Sequence, residues 1–338
     1  MRLVSYIGSD GAGTAVLAAG RLIPLIDGWL EPTDLEPEGL DALRDRAAVL
    51  DGALGIPLAD VDLIAPFPDA GKIICVGLNY REHAIEGGRP APTRPLLFSK
   101  FANAVIGDGE PIIRPDGSHA LDLEVELGVV IGSTARRVPR DEALEYVAGY
   151  VVVNDISARD WQGIPAALAE GEVGDGQWLR AKGSDTFLPM GSVFVTADEI
   201  PDPQALRLWS WIVPGAGEGA GNGAGAGDGA RKRPGLRAGR ETLMQEGTTA
   251  DMIWGVAELI EYISASITLE PGDIIATGTP SGVGIFRDPP ILLQPGDRVR
   301  CEIEGICSME NPVTEWSDTF DAFDDADELD ESDEPAGD

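Results

Sequence analysis

The sequence predicts a mixed, β-dominated α+β fold, and three features of the chain support this prediction. From Gly71 onward, short runs of β-branched and apolar residues alternate with glycine and proline, a pattern typical of strands joined by turns. One longer stretch, from about Thr249 to Ser266, has apolar residues at helical spacing, and Thr248 or Thr249 can cap its start. Residues 1–66 mix short apolar runs, turn signals and one helical patch, which indicates a small N-terminal domain.

The predicted strands lie in a larger domain that we place at residues 67–314. Each is a short β-rich run bounded by turn residues. They are Ile73–Val76, Val125–Ile131, Tyr150–Val153, Val193–Thr196, Asp273–Thr277 and Arg298–Ile303.

Two segments do not follow this globular pattern. Residues 214–239 form a Gly/Ala-rich tract, which predicts a flexible insertion in the larger domain. Residues 315–338 are rich in Asp and Glu and contain no Lys or Arg. Such a segment cannot bury enough apolar surface to order itself, so we expect a disordered acidic tail.

The net charge of −33 at pH 7 argues against several classes of partner. Phosphate binding requires a basic patch, and Arg231–Arg233 is too short to form one, so nucleic acid is not an expected partner. The acid-rich, lysine-poor composition is typical of proteins that stay hydrated in high salt and indicates a halophilic source; a generic acidic protein with one acidic tail is the alternative. No apolar run approaches the roughly 20 residues that span a bilayer, and the N-terminus lacks a secretory-signal pattern. We therefore expect a cytoplasmic protein that does not enter a membrane.

The segment Leu121–Leu127 alternates apolar and acidic residues. On a strand, Asp122, Glu124 and Glu126 would share one face, where their like charges repel unless a cation offsets them. Asp155 ends another apolar run and is well placed to join Glu124 and Glu126 as a third oxygen ligand. An all-carboxylate set favours hard ions such as Mg²⁺, Mn²⁺ or Ca²⁺, and two histidines in the whole chain exclude a histidine-rich zinc site. A solvated acidic face is the alternative interpretation.

Several short motifs accompany this segment in a fixed order. They are Val76–Tyr80 followed by His83, Asp122–Gly128, Asn154–Asp160, Ala181–Asp185, Asp251–Trp254 and Gly278–Gly284. In this combination, residues 71–313 resemble the fumarylacetoacetate hydrolase family, in particular its smaller acylpyruvase-like and 2-hydroxyhepta-2,4-diene-1,7-dioate isomerase-like members. The resemblance implies a β-roll of twisted sheets with a small N-terminal domain, and a homodimer. It also implies that Glu124, Glu126 and Asp155 hold Mg²⁺ or Mn²⁺, with Asp122 outside the ligand set.

His83 and Glu86 form a second candidate constellation. Three positions apart on a helical turn, they face each other, so Glu86 can hold the imidazole in one tautomer and raise its basicity. In the family that the chain resembles, a His–Glu pair on a mobile lid deprotonates water, and the following Gly87 and Gly88 offer the required backbone freedom. A surface histidine beside a surface glutamate is the alternative.

The remaining candidate residues are expected to contact the substrate. Lys182, one of only four lysines, stands in a glycine-flanked turn from which its ammonium can reach a substrate carboxylate or an enolate oxygen. Arg159 and Gln162 match family positions that contact the substrate or the metal-bound water; a structural salt bridge and a surface amide are the alternatives. The resemblance further implies that Thr279 donates a hydrogen bond to the substrate carboxylate.

These features predict a divalent-metal-dependent hydrolase that cleaves a C–C bond in a small 2-oxo acid, such as an acylpyruvate. The metal would stabilise the enolate that forms when the bond breaks, and the His83–Glu86 pair would activate water. A decarboxylase, or an isomerase or tautomerase, acting on an acid of the oxaloacetate or hydroxyheptadienedioate type is the first alternative. A divalent-cation-binding protein without turnover is the second.

Overall fold

The computed structural model describes residues 1–50, 55–215 and 236–316, and these contain twenty strands and five α-helices. In chain order the strands are β1 Arg2–Gly8, β2 Gly11–Ala18, β3 Arg21–Asp27, β4 Ile56–Pro57, β5 Asp62–Ile64, β6 Ile73–Gly77, β7 Leu96–Lys100, β8 Val105–Ile106, β9 Ile112–Arg114, β10 Leu121–Asp122, β11 Val125–Ile131, β12 Val147–Asn154, β13 Ser157–Ala158, β14 Leu188–Pro189, β15 Val193–Thr196, β16 Arg207–Val213, β17 Thr242–Thr248, β18 Ile274–Ala276, β19 Arg298–Ile303 and β20 Ser308–Glu315. The helices are α1 Pro32–Leu35, α2 Pro37–Val49, α3 Arg81–Glu86, α4 Trp178–Lys182 and α5 Val256–Ser264.

Eleven strands form one large sheet. Its order is β4-β3-β2-β1-β15-β12-β11-β18-β6-β7, and β5 pairs with β1. Along this path the neighbours are antiparallel, except that β18 runs parallel to β6. The central strands β11 and β12 are buried along their whole lengths, as expected for strands covered on both faces. Glu126 lies in this buried centre.

The N-terminal strands continue this sheet. β1 pairs with β15 through Leu3 opposite Phe194, and Leu3 lies in the same apolar core as residues of the central strands. The N-terminal segment is therefore joined to the larger part by backbone hydrogen bonds and by shared core packing. A separate domain over residues 1–66 stays a prediction.

A second sheet of five strands has the order β17-β16-β19-β20-β9. The two sheets are linked through Gln245 on β17, whose fully buried side chain accepts a hydrogen bond from the Val125 N–H at 3.0 Å and one from the Ser210 hydroxyl at 2.9 Å. Because a buried amide must be hydrogen-bonded, the bond from Val125 holds β17 against the start of β11. The β-dominated fold predicted from the sequence is confirmed.

The six predicted strands all occur, because short β-branched runs between turn residues are a strong local signal. The predicted helix begins later than expected, at Val256, and residues 249–251 form only a 3₁₀ turn. The amides of Ile253 and Trp254 donate instead to the backbone carbonyl and side-chain oxygen of Asn79, so they are not available to a helix. Glu258 then caps the true start by accepting from the Gly255 N–H.

The acidic segment is not one continuous strand, contrary to the prediction. β10 ends at Asp122 and β11 starts at Val125, and residues 121–131 are buried on both faces. The Glu124 N–H donates to the side-chain oxygen of Asn154 at 2.9 Å, which takes this amide out of the ladder. The break separates Asp122 from the other two carboxylates.

The two low-complexity predictions fall mostly beyond the described ranges. Residues 216–235 of the predicted insertion and residues 317–338 of the predicted tail lie outside the described residues. Within the described part of the chain, no helix has the length and apolar character needed to cross a bilayer.

Candidate metal centre and active site

A pocket of about 260 Å³ opens beside the central strands. Seven of the nine predicted site residues line it: His83, Glu124, Glu126, Arg159, Gln162, Lys182 and Thr279. The other two, Glu86 and Asp155, contact lining residues, as His83 bonds Glu86 and Lys182 bonds Asp155. The fold thus brings together predicted site residues that are far apart in the chain, such as His83 and Thr279.

Glu124, Glu126 and Asp155 form a buried carboxylate triad. Each offers an oxygen, and these oxygens lie within 4.8 Å of one another. Antiparallel pairing of β11 with β12 places Val125 opposite Asn154, and the Asp155 N–H donates to the Glu124 carbonyl at 2.8 Å. This register sets the carboxylates side by side. Clustered carboxylate oxygens are the donors that hard divalent cations prefer, so the triad fits a cation of this class.

Lys182 and Arg159 neutralise part of this cluster. Lys182 Nζ lies 2.9 Å from Glu124 Oε2 and 2.5 Å from Asp155 Oδ2, and Arg159 Nη2 lies 2.7 Å from Glu124 Oε1. Burial would raise the pKa of Glu124, but the charges of Lys182 and Arg159 outweigh it and hold that pKa below its ordinary value. Burial would lower the pKa of Lys182, but the charges of Asp155 and Glu124 raise it to about 12. Lys182 is therefore an ammonium at neutral pH.

Glu126 has a different environment. Its Oε2 accepts a hydrogen bond from the Gly278 N–H at 2.8 Å. Burial, reinforced by the charges of Asp155 and Glu124, raises the pKa of Glu126 well above its ordinary value. A cation beside Glu126 would relieve both effects, so this side of the triad has the strongest electrostatic demand for one.

The predicted His83–Glu86 pair forms on α3. His83 Nδ1 lies 2.7 Å from Glu86 Oε1, and Glu86 Oε2 accepts from the Gly282 N–H at 2.9 Å. Because Nδ1 is held by a carboxylate, Nδ1 carries the proton and Nε2 is left free to exchange a proton with the pocket. Through Glu86 Oε2, the pair is hydrogen-bonded to the Gly278–Gly284 turn. Movement of α3 as a lid stays a prediction.

Arg159 and Gln162 interact with each other as well as with the pocket. Arg159 Nη1 donates to Gln162 Oε1 at 3.0 Å, and the same guanidinium forms buried ion pairs with Asp122 and Glu124. Arg159 thus forms the structural salt bridge that was the alternative interpretation, while still lining the pocket. Direct contact of Arg159 and Gln162 with the substrate stays a prediction.

Thr279 is held by two buried partners. Its hydroxyl donates to the Val125 carbonyl at 2.9 Å and accepts from Gln245 Nε2 at 2.6 Å. A hydroxyl has one proton, so Thr279 must exchange this partner before it donates to a substrate carboxylate. That role stays a prediction.

The sequence interpretation missed two residues that support the site. Lys100, at the end of β7, is fully buried, and its Nζ lies 2.8 Å from Asp155 Oδ1 and donates to the carbonyls of Ile156, Lys182 and Phe187. The scarcity of lysine that drew attention to Lys182 applies equally to Lys100 and was a usable signal. Gln245, which is hydrogen-bonded to Val125 and Thr279, has no feature in the sequence that marks it as a site residue.

Asp122 acts as a structural acceptor beside the triad. It accepts from the N–H groups of Gly284 at 2.8 Å and Ile285 at 3.0 Å, and its Oδ2 lies 3.0 Å from Arg159 Nε. This geometry agrees with its predicted place outside the ligand set.

Replacing Asp122 by asparagine is expected to lower the free energy of unfolding by about 3–5 kcal/mol, because it leaves the buried Arg159 with one carboxylate fewer. Urea denaturation of the purified protein measures this change. Asp141→Asn, an exposed aspartate, is the matched control and should leave stability unchanged. Equal stability of the two variants would contradict the structural role of Asp122.

Fold and site together define a class of protein: a β-rich chain with a buried carboxylate triad that shares its pocket with a histidine–glutamate pair and a lysine. Residues 72–314 match the family model described as fumarylacetoacetate (FAA) hydrolase C-terminal, and the chain belongs to the fumarylacetoacetate hydrolase family. Members of this family are enzymes, and this chain is a family enzyme. The predicted family is thereby confirmed.

Relatives and solved structures agree with this assignment. The chain is 37% identical over 324 residues to a mitochondrial oxaloacetate tautomerase of Xenopus laevis, covering 93% of this chain and 90% of the relative. It is 39% identical over 314 residues to a putative hydrolase of Burkholderia cenocepacia, covering 90% and 96%. A solved structure of a putative HpcE protein from Mycobacterium smegmatis superposes with a TM-score of 0.72 at 33% identity, covering 94% of this chain and 100% of that one. A 2-hydroxyhepta-2,4-diene-1,7-dioate isomerase from Mycobacterium marinum gives a TM-score of 0.66 at 33% identity, covering 94% and 99%.

Proposed function

We propose that the chain is a Mg²⁺- or Mn²⁺-dependent enzyme that interconverts the enol and keto forms of a small 2-oxo acid of the oxaloacetate type. The observation that carries this proposal is the shared pocket of the carboxylate triad, the Lys182 ammonium and the Glu86-held His83. Similarity to oxaloacetate tautomerases over most of the chain supports the choice of reaction.

The chain's own residues fit a divalent cation. Glu124, Glu126 and Asp155 would hold it, and ion pairs with Lys100 and Arg159 fix Asp155 and Glu124 in place. When bound, the cation supplies positive charge that stabilises negative charge on the oxygens of a 2-oxo acid.

His83 transfers the proton, and Lys182 stabilises the charge that develops. In ketonisation the enol O–H bond breaks and a C3–H bond forms, so one proton leaves the oxygen, one reaches carbon, and no co-reactant is consumed. His83 accepts the enol O–H proton at Nε2, because Nδ1 is protonated and held by Glu86, and the resulting imidazolium delivers a proton to C3. The Lys182 ammonium stabilises the negative charge that develops on the substrate oxygen.

Hydrolysis of a C–C bond in an acylpyruvate is the second candidate. The same His83 can deprotonate water instead of carbon, and a putative hydrolase is similar over almost its whole length. The two candidates differ in whether water attacks the substrate, so their products distinguish them.

The test uses protein freed of metal by a chelator and then reloaded with Mg²⁺ or Mn²⁺. We expect the loaded protein to accelerate ketonisation of enol-oxaloacetate, followed by its ultraviolet absorbance, beyond the rate with metal alone, and to release no pyruvate from an acylpyruvate. Cleavage of the acylpyruvate without tautomerisation of oxaloacetate would refute the tautomerase proposal in favour of the hydrolase. Metal binding with neither reaction would refute both enzymatic candidates and indicate a cation-binding protein without turnover. The assays are run in high salt, as the acidic composition recommends.

Replacing Lys182 by methionine is expected to lower kcat for tautomerisation about 100- to 1000-fold, the loss typical of one oxyanion-stabilising group. Affinity for Mg²⁺, measured by calorimetry, should not fall, because the variant removes a cation that competes for Glu124 and Asp155. Lys72→Met is the matched control: Lys72 pairs with Glu270 and Asp273 outside this pocket, and its loss should leave kcat unchanged. Undiminished kcat in the Lys182 variant would refute its role.

A further inference from the structure

We propose that Arg89 binds a second, distal carboxylate of the substrate and makes the enzyme selective for dicarboxylic 2-oxo acids. This inference rests on the proposed function, because it assumes that the carboxylate triad and its metal bind the 2-oxo acid end of the substrate.

Arg89 stands at the mouth of the pocket. It follows the Gly87–Gly88 turn after α3, and its backbone N–H donates to the Ala84 carbonyl at 2.9 Å, which fixes its position relative to the helix. The residue lines the pocket and is also exposed. Its side chain therefore lies where a group projecting from a bound substrate would meet solvent.

Three arginine or lysine side chains line the pocket: Arg89, Arg159 and Lys182. Arg159 and Lys182 are buried and already paired with carboxylates of the site. Among the residues that the structure describes, no carboxylate forms an ion pair with Arg89. Of these three cations, Arg89 is thus the one whose charge is available to an incoming anion.

Apart from Arg89 and the site residues already described, the pocket lining is apolar. Ile164, Pro165, Trp178 and Phe286 contribute to it. An apolar wall offers no partner to a second carboxylate, so Arg89 is the lining arginine or lysine left to give it a charge-assisted hydrogen bond. A monocarboxylic acid of the same length makes no such bond and leaves the guanidinium hydrated at little cost. The difference in binding free energy between the two acids is what makes the enzyme selective.

The experiment compares acids of equal length that differ only in the distal carboxylate. The pairs are 2-oxobutanoate with oxaloacetate, 2-oxopentanoate with 2-oxoglutarate, and 2-oxohexanoate with 2-oxoadipate. Their Kd values are measured by calorimetry on Mg²⁺-loaded protein, for the wild type, Arg89→Gln and Arg94→Gln. Arg94 is an exposed arginine a few residues further along the chain that is not among the pocket-lining residues, so it is the matched control.

We expect the wild type and Arg94→Gln to bind the dicarboxylic member of at least one pair about tenfold more tightly, and Arg89→Gln to bind both members equally within about twofold. The inference is overturned if the wild type shows no preference, or if Arg89→Gln keeps it. Failure of the proposed function looks different: the wild type would then bind none of these acids, nor the chelating probe oxalate, in a Mg²⁺-dependent way.

Discussion

Replacing Glu126 by glutamine is expected to lower the affinity for Mg²⁺ and Mn²⁺ more than about a hundredfold, because losing a direct ligand costs more than losing one of its supporting contacts. Tautomerisation should fall with it. The fold should persist, since Glu126 accepts a hydrogen bond from Gly278 that a glutamine oxygen can also accept. Asp155→Asn would be a poorer test, because it disturbs the buried pairs with Lys100 and Lys182.

Calorimetry gives the metal affinity, and thermal unfolding provides a readout that does not depend on activity. A bound cation stabilises the folded state in proportion to the logarithm of its concentration over Kd, so added Mg²⁺ should raise the Tm of the wild type and not that of Glu126→Gln. Glu246→Gln, on the exposed pair with Arg207, is the control and should behave like the wild type. Wild-type Mg²⁺ affinity in Glu126→Gln would remove Glu126 from the ligand set.

Replacing His83 by glutamine is expected to lower kcat about 100- to 10,000-fold, the contribution typical of a positioned general acid or base. The metal affinity should change little, because the triad lies on β11 and on the residues that flank β11 and β12, and not on α3. Steady-state kinetics with enol-oxaloacetate measures the loss.

The chain provides a control with the same chemistry, since His119 is its other histidine. His119 is half-exposed, bonds the Ala167 carbonyl and lies outside the pocket lining, so His119→Gln should keep the wild-type kcat. Full turnover by His83→Gln would exclude His83 as the proton-transfer group, in the tautomerase and in the hydrolase alike.

The sequence predicted much of the site because several of its residues stand at short, regular spacings along the chain. Glu124 and Glu126 stand two positions apart, Asp155 ends an apolar run, and His83 faces Glu86 across one helical turn. Such spacings depend only on the geometry of a strand or a helix, which nearby residues determine. The strand runs were predicted for the same reason.

Errors arose where distant residues compete for backbone groups. Asn79 takes the amides of Ile253 and Trp254 and delays α5, and Asn154 takes the Glu124 amide and interrupts the acidic strand. Neither partner is adjacent in the chain, so no local pattern reveals the competition.

By itself, the sequence determined the family, the β-dominated class and which carboxylates, histidine and lysine are candidates. Only the tertiary structure decided how their charges are balanced. Lys182 and Arg159 hold Glu124 anionic, Lys100 pairs with Asp155, and the pKa of Glu126 is raised because burial and the neighbouring carboxylates outweigh the charge of Lys182. The physical reason is that electrostatic energies depend on distance and burial, and both are set by strands that pair across long stretches of chain.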